Sequence, residues 1–141
     1  MRTLLAMGLL TGVLGVATAD DKGATAGKWT IESVTRDGKV DDSLKGAVRV
    51  HDGEKYTVTP AAGSTAPAVS GTFAADGAKA PATIDMKPGA GRYKDKVLLG
   101  IYKLDGDTLT IAFAEPDKPR PTTFESKPGS GVVVAIHKRV K

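Results

Sequence analysis

The sequence predicts an all-β protein: an antiparallel up-and-down meander of eight strands closing into a barrel, with a β-sandwich as the alternative architecture. Three observations predict it. Apolar and polar residues alternate with a period of two, not 3.6, through most of the chain, the pattern of antiparallel strands with one buried face. Four Asp-Gly dipeptides, at 37–38, 52–53, 76–77 and 105–106, punctuate these runs. Asp tolerates positive φ and Gly adopts it without steric cost, so each marks a tight turn. No connection long enough for a Greek-key crossover precedes residue 115, and closure into a barrel removes the sheet edges that invite aggregation.

Taken in order, residues 1–19 have the three parts of a secretory signal: one basic residue, Arg2, an apolar run, and Ala17-Thr18-Ala19 before Asp20-Asp21. The uncharged stretch 3–19 is 17 residues long and broken by Gly8, Thr11, Gly12 and Gly15. A membrane-spanning helix needs roughly 20 apolar residues, so cleavage after Ala19 is expected, with export to the periplasm or the cell exterior. No twin Arg is present, which points to export of the unfolded chain. Residues 20–141 then form a single domain.

The strands expected in that domain are 28–36, 46–51, 54–59, 68–74, 81–86, 96–104, 107–114 and 131–139. In the first, Trp29, Ile31 and Ser33 alternate with Thr30, Glu32 and Val34. Val48 and Val50 form the apolar phase of the second, with Arg49 and His51 on the polar side. Tyr56 and Val58 mark the third strand, and Leu109, Ile111 and Phe113 the seventh. Val132, Val134 and Ile136 are the apolar phase of the last, opposite Val133, Ala135 and His137. Residues 60–67 and 75–81, rich in Ala, Gly, Ser and Pro, are loops, and 115–131, with four prolines, is the longest connection. No helix of normal length is visible.

Composition excludes several function classes. The chain has no Cys, so a disulfide scaffold, Cys-ligated metal, a Cys nucleophile and a lipid on an N-terminal Cys are all ruled out. The core holds the fold unaided. A net charge of +4 falls to +3 without Arg2, and its excess sits near the end in Lys127, Lys138, Arg139 and Lys141. Nucleic-acid surfaces pair such charge with aromatic stacking platforms, and aromatics are only 5% of this chain. A solvated strand end accounts for it better.

Candidate chemistry is thin. His51 and His137 lie on the polar phase of their strands and lack an evident orienting partner. Asp41-Asp42 and Asp105-Gly106-Asp107 suggest a Ca²⁺ loop, but neither offers the closing Glu or a full set of oxygen ligands. No acidic residue falls on an inward phase to make a carboxylate pair. A glycine-rich phosphate cradle is absent: the 87–92 segment, Lys-Pro-Gly-Ala-Gly-Arg, holds two glycines and two basic residues, but no helix follows it, so it reads as a turn between the fifth and sixth strands. No catalytic residue, metal or cofactor is expected. Trp29, Tyr56, Phe73, Tyr102, Phe113 and Phe124 either fill the barrel or line a ligand cavity, since eight strands are just wide enough for one or the other. The prolines of the 118–124 segment lower the ordering cost of that loop, making Lys118, Arg120 and Phe124 the candidate partner surface; alternatively Phe124 plugs one barrel end.

Two segments resemble a known family. Gly27-Lys28-Trp29 is similar to the Gly-x-Trp opening of lipocalin-like barrels, where the Trp closes the barrel base. The run GIYKLDGDTLTIAFA at 100–114, then KPRPT at 118–122, Phe124, SKPGSG at 126–131, and an apolar strand ending in Lys138-Arg139 resemble the small, uncharacterised lipocalin-like domain abundant in planctomycete-type bacteria. The resemblance spans 27–139, although 60–95 matches only in strand spacing. It implies a fold and no reaction. Lipocalin-like barrels elsewhere bind small apolar molecules or inhibit proteases, and in that fold a basic side chain near the last strand packs over the Trp. Arg139 is the candidate for that role, on the polar phase of its strand. The expected functions are binding of a small apolar ligand within the barrel or, alternatively, a protein-interaction or protease-inhibitor-like role played through the loops; an unrecognised hydrolase is a third.

Overall fold

A computed structural model describes residues 24–141; the proposed signal at 1–19 lies outside them. Nine antiparallel strands form one sheet: β1 Gly27–Arg36, β2 Lys39–Val40, β3 Val48–Asp52, β4 Lys55–Thr59, β5 Val69–Asp76, β6 Ala82–Pro88, β7 Leu98–Asp105, β8 Thr108–Ala114 and β9 Val132–Arg139. Sequential neighbours pair from β3 to β9, and β1 pairs with both β3 and β9. Eight strands therefore close into a meander barrel of lipocalin-like form. The ninth, β2, is a short hairpin extension of β1 that the sequence pattern does not mark.

The turns follow their chemistry. At Asp37-Gly38 both residues have positive φ, 54° and 83°, as a type I′ hairpin requires. Gly38 is doubly constrained, because a Cβ there would stand 2.6 Å from the Pro128 ring. In the β3–β4 and β7–β8 hairpins the Asp stays in the ladder, pairing Asp52 with Lys55 and Asp105 with Thr108. The glycine alone supplies the positive φ of the two-residue loop.

β1 carries a bulge. Ile31 faces His137 while Ser33 faces Ile136, so Glu32 is an extra residue on β1. The bulge reverses the phase of the strand's second half. Trp29 and Ile31 point inward, but Val34 rather than Ser33 continues the core.

Two further strands depart from the sequence expectation. On β3 the buried residues are Arg49 and His51, with Val48 and Val50 half-buried outside. On β9 the interior receives Val133, Ala135 and His137. Val134 joins Ile101 and Ala112 in a second apolar cluster, against which Val132 and Phe124 pack. For β9 the physical reason is the 115–131 connection: by packing Phe124 on those residues it gives β7, β8 and β9 a covered outer face as well as a covered inner one.

Candidate functional site

The two barrel ends differ because the short turns gather at one and the long loops at the other. At the short-turn end, Trp29 is fully buried, and its Nε1 donates to the Thr25 carbonyl at 2.9 Å. The Arg139 guanidinium lies 4.2 Å from the Trp29 ring centroid, and its Nη1 and Nη2 donate to the carbonyls of Ala26 (3.2 Å) and Ala24 (3.4 Å). This end is stoppered. The resemblance implied this stack, and the inward phase of β9 at 133, 135 and 137 extends naturally to 139.

Toward the other end the inward side chains leave space. A cavity of about 390 Å³ is walled by Ile31, Val34, Val58, Val69, Leu98, Phe113, Val133 and Ala135. Its mouth is set by Leu44, by Ala66 and Pro67 of the β4–β5 loop, and by Ala90–Tyr93 of the β6–β7 loop. The 87–92 segment read as a turn thus contributes to the rim. Tyr93, half-buried there, donates to Glu115 Oε2 at 2.8 Å. Arg36, also at the mouth, pairs through Nε with Asp41 Oδ2 at 3.2 Å. Asp41 additionally accepts from the amide (3.0 Å) and hydroxyl (2.6 Å) of Ser43 and caps the 3-10 turn Asp42–Leu44. The Ser43 bonds, foremost, and Arg36 hold the Asp41 carboxyl below its ordinary range. A second depression, about 420 Å³ beside β5 and β6, is rimmed by Glu54, Asp85 and Lys87 and takes in fewer apolar side chains.

The floor of the cup is polar. Arg49 is only 6% exposed. Its Nε donates to His51 Nε2 at 2.9 Å, its Nη2 approaches Met86 Sδ at 2.9 Å, and its guanidinium sits 4.7 Å from the Tyr56 ring centroid. Among the described residues no carboxylate pairs with it. Burial pulls its pKa down to about 10, the response of a cation without a counter-ion. Because His51 Nε2 accepts from Arg49, the ring proton sits on Nδ1, 3.2 Å from Thr25 Oγ1. The His51 ring lies against Phe73, with centroids 4.3 Å apart. His137 Nδ1 donates to the Leu109 carbonyl at 2.9 Å, while its Nε2 is buried without a partner among the described residues. Burial, then the Arg49 charge, drives the His51 pKa down to about 2 and that of His137 to about 3. Both imidazoles are neutral at ordinary pH. The expectation of two solvent-facing histidines is corrected: 2% and 0% exposed, they belong to the core.

The structure divides the six aromatics read from the sequence. Tyr56 and Phe113 line the cup. Trp29, Phe73 and Tyr102 fill the core beside it. Phe124 lies outside the barrel, where Lys103 Nζ sits 4.8 Å from its ring centroid, so it neither lines the interior nor plugs an end. On the partner-loop candidates, Lys118 is exposed, but Arg120 is tied back, its Nη1 donating to Asp85 Oδ1 at 2.6 Å and to the Gly100 carbonyl at 2.8 Å. Sequence reasoning missed Arg36, Arg49 and Tyr93. The signal for Arg49 was present: in a hairpin with a two-residue loop the inward Tyr56 and Val58 force the odd-numbered residues of β3 inward as well, and the register pairs His51 with Tyr56 and Arg49 with Val58.

Fold and site together define a closed antiparallel barrel, stoppered at one end and hollow at the other. No protein-family model, curated protein or solved structure matches the chain. Among the described residues, no helix is long and apolar enough to cross a membrane, and no three His, Cys, Asp or Glu are grouped to hold a metal ion.

Proposed function

We propose that this chain is an exported, non-enzymatic lipocalin-like protein that binds one small, largely apolar ligand in its barrel. The carrying observation is the cup: about 390 Å³ of space with aliphatic walls, closed below and open between loops. That volume lies at the lower end of small-molecule pockets, which run to roughly 300–1,000 Å³ and combine apolar walls with a few polar groups. Export rests on the 1–19 segment, and kinship with the planctomycete-type domains on the motifs at 27–29 and 100–131. The non-catalytic reading is supported by the interior histidines, whose protonated forms are disfavoured by burial. A role through the 118–124 loop has less support, since Arg120 is engaged within its own molecule.

Mass spectrometry of the protein purified from its native host, under non-denaturing conditions, should reveal a co-purifying small molecule. A fluorescence titration with Nile red should saturate at one site. Ala135→Leu, which extends an alkyl group into the cup, should weaken that binding at least tenfold while leaving the fold intact. No bound molecule together with Nile red binding indifferent to Ala135→Leu would remove the reading.

A further inference from the structure

The cup is not uniformly apolar, and its exception sits at the bottom. Arg49 is buried at the floor, faces the cavity, and lacks a carboxylate partner among the described residues. Its Nε is used by a neutral imidazole, and its Nη2 by a thioether, one of the weakest acceptors a protein offers. A buried charge is ordinarily paired, because the desolvation it suffers is otherwise uncompensated. The neighbouring polar groups do not neutralise it. His51 and His137 are held uncharged, and the Tyr56 ring offers only a quadrupole. The charge balance of the lining points the same way: Arg36, Arg49 and Arg92 against Asp41 alone. Asp41 is already engaged by Arg36 at the mouth, which leaves the floor to Arg49.

We infer that the ligand is an acidic amphiphile, its hydrocarbon against the aliphatic wall and its single oxyanion seated at the floor on the Arg49 guanidinium. This deepens the small-ligand reading and rests on it. A guanidinium presents a planar fork of N–H donors matched to a carboxylate or a sulfonate. An incoming oxyanion would take over the Nη edge from Met86 Sδ without disturbing the Nε bond to His51. The two mouth arginines then act on entry, attracting an anion toward the opening, and the floor arginine fixes its orientation headgroup-first. Hydrogen bonds to a charged group in such a site correspond to a preference on the order of 10- to 100-fold over an uncharged headgroup.

One tail with three headgroups tests this. Isothermal titration of the delipidated full-length domain with decanoate, decanol and decylamine should give decanoate at least tenfold tighter than decanol, with decylamine weakest. Arg49→Met, which keeps an unbranched stem and removes the guanidinium, should bring decanoate to the level of decanol. In the unmodified protein the Arg49 Nε–H resonance should shift with decanoate and stay in place with decanol, which locates the headgroup even if the variant fails to fold. A decanoate preference below tenfold overturns the acidic headgroup while decanol binding leaves the small-ligand reading standing. A preference that survives Arg49→Met and disappears in Arg36→Met moves the headgroup to the mouth and overturns the floor assignment. If none of the three compounds binds, this inference falls, and the Nile red titration with Ala135→Leu decides the reading beneath it.

Discussion

Arg139 shows how one side chain closes a barrel. Its guanidinium covers the Trp29 indole at 4.2 Å and also reaches two backbone carbonyls of the 24–26 segment. The Asp107 carboxylate stands 3.8 Å from its Nε. Stacking and hydrogen bonding use different parts of the planar group, the face and the edge, which an ammonium cannot do together. Arg139→Ala is expected to cost about 1–2 kcal/mol, the sum of a partly exposed cation–π contact and the lost bonds. Arg139→Lys should recover less than half of that. Trp29→Ala leaves a large void at a site with no exposure and should cost about 3–5 kcal/mol. Urea unfolding followed by circular dichroism measures all three; an Arg139→Ala protein as stable as the parent would show that the stack is incidental.

At the scale of elements, the 115–131 connection decides how much of the fold could be read from sequence. The period of two placed eight strands within a few residues of where they stand, because alternation is dictated by strand geometry and survives any local sequence. What alternation cannot give is phase when both faces of a strand are covered. In β9 the sequence VVVAI is apolar at every position, and Val134 finds the outer cluster as readily as Val133 finds the core. The bulge at Glu32 is hidden for a related reason, since Ser33 and Val34 are both small enough for either side. In β3 a polar phase faces inward because the two-residue hairpin pairs Arg49 and His51 with the inward Val58 and Tyr56, so a rule based on apolarity picked the wrong face. The lining of the cup was accordingly legible only in part: Tyr56 and Phe113 stood among the aromatics read as either core or cavity, and Arg49 was read on the polar phase of its strand. If the 115–131 connection is a packed layer, Phe124→Ala should lower stability by about 1–2 kcal/mol through loss of contact with Ile101, Ala112 and Val134. Arg120→Ala should cost less than about 1 kcal/mol, because its ion pair with Asp85 is partly solvated, yet it should quicken amide exchange across 116–125. Unchanged exchange in both variants would mean the loop is held by its hydrogen bonds to the Asp37-Gly38 turn and β9.

For the molecule as a whole, the interior polar group governs the response to acid. Histidine ordinarily titrates near 6.5, whereas in the native barrel His51 is held down to about 2 and His137 to about 3, by burial first and the Arg49 charge second. As pH falls below 6.5 the unfolded chain takes up protons on both residues and the folded chain does not. The unfolded state then binds more protons, so stability declines as pH is lowered, through the window from about 6.5 down to the folded values. Each histidine contributes about 1.4 kcal/mol per pH unit once well below 6.5. The pair therefore removes roughly 4–5 kcal/mol between pH 6.5 and 4.5, comparable with the whole stability of many domains this size. Asp41, whose carboxyl is depressed in the native state, adds to the loss only below its ordinary value of 3.8. With no Cys in the chain, no cross-link limits expansion once the barrel opens. Thermal melts should show a midpoint falling steadily from pH 6.5 to 4.5. His51→Gln combined with His137→Gln should flatten that slope, whatever the two substitutions cost at neutral pH. A double variant that retains the parent's full pH dependence would assign acid sensitivity to the carboxylates and relieve the buried histidines of that role.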